Sequence, residues 1–391
     1  DDILTSGYDR GMIALDSHPN MEIRLYNPFL RRNARWMDGM LGFKRVNRRM
    51  HNKSFTVDNR FTIIGGRNIG AEYFAARDDM NFADMDIAGF GPVVQDVSDM
   101  FDSYWNNDLA VPASEVIDPP DDPEAEMQRM REQIKQAMVT MEESQYSAAL
   151  SRNLQSLFSI TSDDFFWAEW EVVYDAPEKG RTDKLGKEAI TINPKLRQAV
   201  DKAEESVLVV SPYFVPDKPM MERIEGYAER GLRIIVLTNS LASTNHNVVH
   251  SGYAPSRKKL LKMGVEIWEA KPDREIQGTA NSGKEDAIAG LHTKGFIVDQ
   301  NEFFLGSFNL DPRSKNINTE LGVIVKSPEM SKQLFEEGML EMQNLAYKVI
   351  LTEQGDLAWI DLSGDSPVVY TKEPETTWGQ RTKVGFMRIL P

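Results

Sequence analysis

No cysteine occurs anywhere in the 391 residues of this chain. That excludes disulfides, cysteine–zinc centres and thiol nucleophiles, and it leaves the redox compartment open. No apolar run reaches the roughly 18 residues that cross a bilayer. Positive charge is in deficit: 45 Lys and Arg stand against 60 Asp and Glu, a net charge of −15. A polyanionic partner, whether nucleic acid or an anionic membrane, would therefore need a local basic patch. Histidine is scarce too, with five in the whole chain. Two of those five open the same octet, His-x-Lys-x-x-x-x-Asp, in "HNKSFTVD" from His51 and again in "HTKGFIVD" from His292.

The match runs on past the octets. "NRFTIIGGRN" follows the first and "QNEFFLGSFN" the second, so Gly65 and Gly306, and Asn68 and Asn309, sit at equal offsets from their histidines. "MEIRLYNP" precedes one copy and "VEIWEAKP" the other, and Pro-started amphipathic helix patterns follow both. A repeat of this length means two similar modules. In the second, "SVLVVSPYF", "LRIIVLTNS" and "VEIWEA" are buried strand patterns separated by helix patterns that end at Gly231 and Gly264. This alternation predicts an α/β fold of two pseudo-symmetric lobes, each a mainly parallel sheet flanked by helices. The expected division is a first lobe over 1–110, an acidic linker with an inserted helical and aromatic segment over 111–185, and a second lobe with a C-terminal extension over 186–391. His51 lies 50 residues after Asp1, whereas His292 lies 98 residues after Pro194. Repeat logic therefore leads to the expectation that the first lobe is N-terminally truncated by about 50 residues.

Side chains alternate along a strand, so His51 shares a face with Lys53, and His292 with Lys294. Asp58 and Asp299 fall on the opposite face. The returning strand offers Gly66 and Asn68 in one half, Ser307 and Asn309 in the other. Two imidazoles, two ammonium groups and two carboxamides suit a phosphate diester: lysines neutralise its oxygens, and amide and hydroxyl groups donate to them. One neutral imidazole can attack phosphorus while the other, protonated, serves the leaving alkoxide. Each ring needs a carboxylate to orient it. The candidates are Glu320 in the second half and, in the first, Asp84 or Asp86. A metal site fits less well, because His-x-Lys sets one ligand beside a cation.

These residues resemble the phospholipase D superfamily, whose signature is a pair of HKD motifs each followed by Gly-[Ser/Gly]-x-Asn. "HTKGFIVDQNEFFLGSFNLDPRSKNINTE" matches closely, and "HNKSFTVDNRFTIIGGRN" matches with Gly66 where the usual serine hydroxyl would be. Within the superfamily, "NRRMHNK", "GGRNIGAEYF" and "GFMRILP" look most like bacterial cardiolipin synthases of the C type. The resemblance implies metal-free phosphatidyl transfer through a phosphohistidine, with no cofactor. Its implied substrates are phosphatidylglycerol as acceptor and phosphatidylethanolamine as donor, and its implied location is the bacterial cell membrane. It implies a catalytic set of His51, Lys53 and Asp58 with His292, Lys294 and Asp299, and substrate contacts from Gly66, Asn68, Ser307, Asn309, Glu320 and Asp84. Strand alternation instead makes Asp58 and Asp299 fix the hairpins. His51 is assigned as nucleophile and His292 as acid and base, with the reverse left open by the pseudo-symmetry.

From Arg31 to Lys53 the chain carries eight Lys and Arg against one acid, Asp38, interleaved with Trp36, Met37, Met40, Leu41 and Phe43. Cations beside large apolar groups suit a membrane surface, and this segment leads straight to His51. Three rival readings share the same residues: a phospholipase D-type hydrolase, a nuclease or phosphodiesterase, and a catalytically silent membrane scaffold. The −15 charge argues against nucleic acid.

Overall fold

The computed structural model describes residues 2, 5, 7–74, 80–142, 165–181, 190–272 and 288–387. Parts of the expected insert, 143–164 and 182–189, lie outside the described residues, as does the end of "GFMRILP". The basic segment forms two short helices, α1 (Arg35–Leu41) and α2 (Phe43–Val46). The first octet forms the hairpin β1 (Ser54–Val57) and β2 (Phe61–Gly65). β3 (Met80–Ala83) and β4 (Asp86–Phe90) follow, and β4 pairs antiparallel with β2. Helix α3 (Val93–Trp105) buries the stripe Val94, Val97, Met100 and Tyr104 at helical spacing.

The second lobe is built on ten strands. In chain order they are β5 (Glu169–Tyr174), β6 (Ser206–Val210), β7 (Arg233–Asn239), β8 (Glu266–Ala270), then, after the short β9 (Ile288–Leu291), β10 (Gly295–Val298), β11 (Glu302–Gly306), β12 (Leu321–Lys326), β13 (Ala346–Leu351), β14 (Leu357–Asp361) and β15 (Val368–Tyr370). Their order in space is β15-β14-β13-β8-β7-β6-β10-β11-β12-β5. Only β6–β7 and β7–β8 pair in parallel; the other neighbours are antiparallel. The α/β class holds, but the sheet is mixed and not mainly parallel. Crossover helices such as α4 (Lys218–Glu229), between β6 and β7, enforce parallel pairing there. The His292 hairpin adds to β6 through a reversed strand, and three further strands from the C-terminal extension close the other edge. Glu169–Tyr174, expected inside the insert, is an edge strand of this sheet.

Both hairpins turn through two successive residues in the left-handed region. These are Asp58 and Asn59 at φ 53° and 52°, and Asp299 and Gln300 at 50° and 53°. Asp and Asn tolerate this conformation better than most side chains. Phe296, four residues after His292, is buried among Ile224, Phe304 and Phe308 beneath the helices of the second lobe. Phe55, four residues after His51, is 59% exposed beside an open cavity of about 730 Å³ that Ile63, Phe74 and Phe101 also line.

The lobes share a core. Tyr26, Ile64, Val97, Met100 and Tyr104 of the first pack with Phe303, Leu305, Leu321, Val323 and Val325 of the second. Two backbone links tie them further: β3 pairs in parallel with β9, and Met50 bridges to Thr319.

Asp299 fastens its hairpin to the start of β6. Its carboxylate accepts hydrogen bonds from the amides of Glu204, Glu205 and Ser206 at 2.9, 2.8 and 2.8 Å. Asp299→Ala removes three charge-assisted acceptors and is expected to lower stability by about 1–3 kcal/mol. Urea unfolding measures this; a loss below about 0.5 kcal/mol, the ordinary range for a surface change, would mean the clamp contributes nothing.

Candidate active site

Each imidazole is held by the carboxylate of the opposite lobe. His51 Nδ1 lies 2.8 Å from Glu320 Oε2, across 269 residues of sequence, and His292 Nδ1 lies 2.5 Å from Asp84 Oδ2, across 208. The expectation that each half supplies its own orienting acid is corrected by this exchange. Its cause is backbone pairing. His51 N–H donates to Thr319 O at 2.9 Å and His292 N–H donates to Ala83 O at 2.7 Å. Thr319 and Ala83 each immediately precede the acid, so each acid is delivered beside the other lobe's ring.

Strand register separates Asp84 from Asp86. Gly306 pairs with Gly322 and Gly65 pairs with Asp86. Glu320 and Asp84 therefore hold equivalent places, two residues before the partner of the motif's first glycine. Asp86 accepts from Arg67 Nε at 2.6 Å instead. Gly66 also acquires a reason. A Cβ there would stand 2.6 Å from Asp84 Oδ1, too close for a serine. In the second lobe Ser307 fits, donating to Glu320 Oε2 at 2.5 Å, while Ser314 donates to Oε1 at 2.6 Å.

The remaining polar groups converge on the same space. Lys294 Nζ lies 2.6 and 2.9 Å from Nδ1 and Nε2 of His292 and also donates to its carbonyl. Lys53 Nζ donates to His51 O at 2.7 Å. Asn68 Nδ2 donates to Tyr73 OH at 2.7 Å, and that hydroxyl is 3.4 Å from His292 Nε2. Asn309 is buried in the same cluster, with its Oδ1 unpartnered. Tyr73 and Phe82 flank the His292 ring at 4.9 and 5.2 Å between centroids, and Tyr213 stands edge-on at 6.5 Å. No spacing in the sequence singles out these aromatics, although Tyr73 lies within the quoted "GAEYF". Asp58 is exposed and Asp299 is engaged with β6, so neither motif aspartate joins the cluster. Their inclusion in a catalytic set is thus corrected by strand alternation. His250 is buried against Arg257 and Glu373 instead.

Burial governs the charge state. Desolvation, then the Lys294 charge, pushes the His292 imidazole down to about 3, against the pull of Asp84. Desolvation also lowers His51, against Glu320. The same cause brings Lys294 to about 7 and Lys53 to about 8, although Asp84 and Glu320 favour their charge. Burial opposes charge on Glu320 and Asp84 too, but the His51 contact on one and the His292 hydrogen bond on the other hold both below the usual carboxylate range. The cluster is thus two neutral imidazoles, two carboxylates and two lysines on the edge of losing their protons.

Two motif-bearing lobes joined through one sheet-backed cleft define a phospholipase D-like enzyme. The family model for "Cardiolipin synthase, PLD-like domain" matches residues 196–338. Cardiolipin synthase C of Escherichia coli (strain K12) is 36% identical over 403 aligned positions, covering all of this chain and 82% of its own length. An uncharacterized Helicobacter pylori protein is 32% identical, over 83% of this chain and 63% of its own. The solved phosphatidylserine synthase of Haemophilus influenzae Rd KW20 shares the fold at a TM-score of 0.51 and 13% identity, covering 87% of this chain and 69% of its own. The chain belongs to the cardiolipin synthase family of phospholipase D-like phosphatidyltransferases.

An anionic ligand between the lysines favours their charged forms, so binding near pH 7.5 should take up to about one proton. The sign follows from the lowered values: affinity is greatest below about pH 7 and falls as pH rises through 7 to 9. Calorimetry of glycerophosphoglycerol in buffers of different ionisation enthalpy measures this, since the diester does not titrate there. Binding without proton uptake would mean the lysines are already fully charged.

Proposed function

We propose that this enzyme makes cardiolipin from phosphatidylglycerol and a second phospholipid, with phosphatidylethanolamine as donor, through a phosphohistidine. The observation that carries the reading is the crossed pair of carboxylate-held imidazoles around two lysines. In the proposed first half-reaction, Lys53, Lys294, Asn68 and Asn309 hold the donor's phosphate. His51, its Nδ1 proton held by Glu320, attacks phosphorus through Nε2. The bond from phosphorus to the headgroup oxygen breaks, and that oxygen takes a proton from His292. In the second, the terminal hydroxyl of phosphatidylglycerol gives its proton to His292 while its oxygen attacks phosphorus. The phosphorus–nitrogen bond breaks, cardiolipin leaves, and His292 passes the proton it took back to Lys294, so both rings are neutral again.

Two contacts support this division of labour. Lys294 lies against both ring nitrogens of His292 and can hand it the proton an acid needs. Lys53 engages the backbone carbonyl of His51 and leaves that ring free. Substrate anion between the lysines offsets the desolvation that keeps the rings neutral in the empty site.

Docking on a membrane is proposed through the segment 31–53. Trp36, Met40, Leu41 and Phe43 are 67, 75, 75 and 59% exposed on α1 and α2. Fewer of its cations are free than the composition suggests: Arg31 pairs with Asp38, and Arg32 and Arg35 with Asp2 and Asp9. Attachment would then be chiefly apolar, with modest salt dependence. No helix among the described residues is long and apolar enough to cross a membrane. Replacing Trp36 and Leu41 by serine should weaken sedimentation with phosphatidylglycerol vesicles at least tenfold, at about 1–2 kcal/mol per side chain. Unchanged binding would move the membrane face elsewhere.

The lipid products test the main reading. Vesicles of phosphatidylglycerol, with and without phosphatidylethanolamine, are incubated with the protein and with His292→Ala, and the lipids identified by mass spectrometry. Cardiolipin that rises with phosphatidylethanolamine and vanishes in the variant is expected. Phosphatidic acid alone would make the enzyme a hydrolase. With labelled donor, His292→Ala should trap label on His51; label trapped in His51→Ala instead would reverse the two roles.

A further inference from the structure

Arg49 is a half-buried cation that the proposed mechanism does not use. It stands two residues before His51, and its carbonyl accepts from Thr319 N at 2.9 Å, within the bridge that Met50 makes to Thr319. Alternation about Met50 puts Arg49 and His51 on one face of the chain. Other arginines of the basic segment have partners: Arg31, Arg32 and Arg35 pair with carboxylates, and Arg45 donates to Asn27 and Pro28. Arg49 differs. Its Nε is buried without a hydrogen-bond partner. Burial lowers its pKa, and among the described residues no carboxylate counters that.

Its neighbours are also basic. Arg313 is held below its ordinary value by burial and then by the Arg49 charge, while its own donors go to Asn47 and Asn318. His246 is lowered by partial burial and then by Arg49. The His246 ring lies 5.4 Å from that of Tyr213, which in turn stands edge-on to His292. Arg49 is thus close enough to His246 for its charge to act there, and His246 stands on the Tyr213 and His292 side of the cleft. That is the side on which the leaving group departs and the acceptor enters. The second half has no counterpart. Gly290 occupies the equivalent place, and a Cβ there would meet Ser243 O at 2.8 Å. The pseudo-symmetric site thus carries one extra cation, on one side.

A half-buried guanidinium with an unpartnered buried Nε and no carboxylate beside it gains from an anion that completes it, and its planar fork suits phosphate. Lys53 and Lys294 take the reacting phosphate, but the acceptor phosphatidylglycerol brings a second one, a glycerol unit away from its attacking hydroxyl. Two residues of extended chain span about 7 Å, the scale of two phosphates bridged by glycerol. We propose that Arg49, flanked by Arg313 and His246, binds the phosphate of the acceptor lipid and selects an anionic acceptor. This rests on the phosphatidyltransferase reading.

The test compares two acceptors with one donor. Labelled phosphatidylethanolamine is offered with phosphatidylglycerol or with the neutral alcohol 1-butanol, and both products are measured for the unaltered protein, Arg49→Gln and Arg49→Lys. The ratio of phosphatidylglycerol transfer to butanol transfer should fall at least tenfold in Arg49→Gln, through KM for phosphatidylglycerol more than through kcat. Arg49→Lys should recover part of it. Butanol transfer reports that each variant is folded. An equal fall for both acceptors, or an unchanged ratio, overturns the subsite. Failure of the unaltered protein to transfer to either acceptor overturns the phosphatidyltransferase reading and the subsite with it.

Discussion

Two backbone hydrogen bonds set the rest of the site: His51 N–H to Thr319 O and His292 N–H to Ala83 O. Each joins a motif histidine to the residue just before the opposite acid. Once both are made, Glu320 and Asp84 have nowhere to go except beside the ring of the other lobe. Neither half alone can orient its own imidazole. The shared apolar core from Tyr26 and Ile64 to Leu305 and Val323 keeps the exchange closed. It also removes the water that would otherwise solvate the charged groups, so lobe packing and site electrostatics are one constraint.

That dryness explains the charge pattern. Lys294 and Glu320 are fully buried and His292 almost so. Each carboxylate has a hydrogen-bonded ring and keeps its charge, whereas each lysine has carbonyl or imidazole partners and holds its proton weakly. A phosphodiester would supply the missing negative charge and favour the protonated lysines.

The sequence made the chemistry more legible than the architecture. The octets, the glycines and the asparagines fall at fixed offsets, and side-chain alternation alone separates His51 and Lys53 from Asp58. Strands of the second lobe were readable as apolar runs, but their partners were not. β6, β7 and β8 suggest a parallel sheet, and nothing local in "EFFLG" or "AYKVIL" says that such strands enter reversed. The crossed acids were hidden for the same reason: pairings over 208 and 269 residues leave no trace in local pattern. Register decides between Asp84 and Asp86, and register is a property of the folded sheet. The basic segment misled in a different way. Its cations are countable in the sequence, but Asp2 and Asp9, which neutralise two of them, lie more than twenty residues away.

The two halves differ where a duplicated site can afford to differ. The first uses a glycine with a short acid, Gly66 and Asp84; the second uses a serine with a longer one, Ser307 and Glu320. These are alternative fillings of one space. With Asp84 Oδ1 so near position 66, a serine would clash, whereas Glu320 accepts a hydroxyl from Ser307 and another from Ser314. Glu320 therefore has two hydroxyl donors, and Asp84 is held chiefly by His292 and the Met85 amide at 3.0 Å. Fewer competing donors concentrate the Asp84 charge on its imidazole, which suits the acid role proposed for His292. The hydroxyls on Glu320 spread its charge, which suits the nucleophile role proposed for His51. Symmetry brings the rings together, and departures from it make their surroundings unequal.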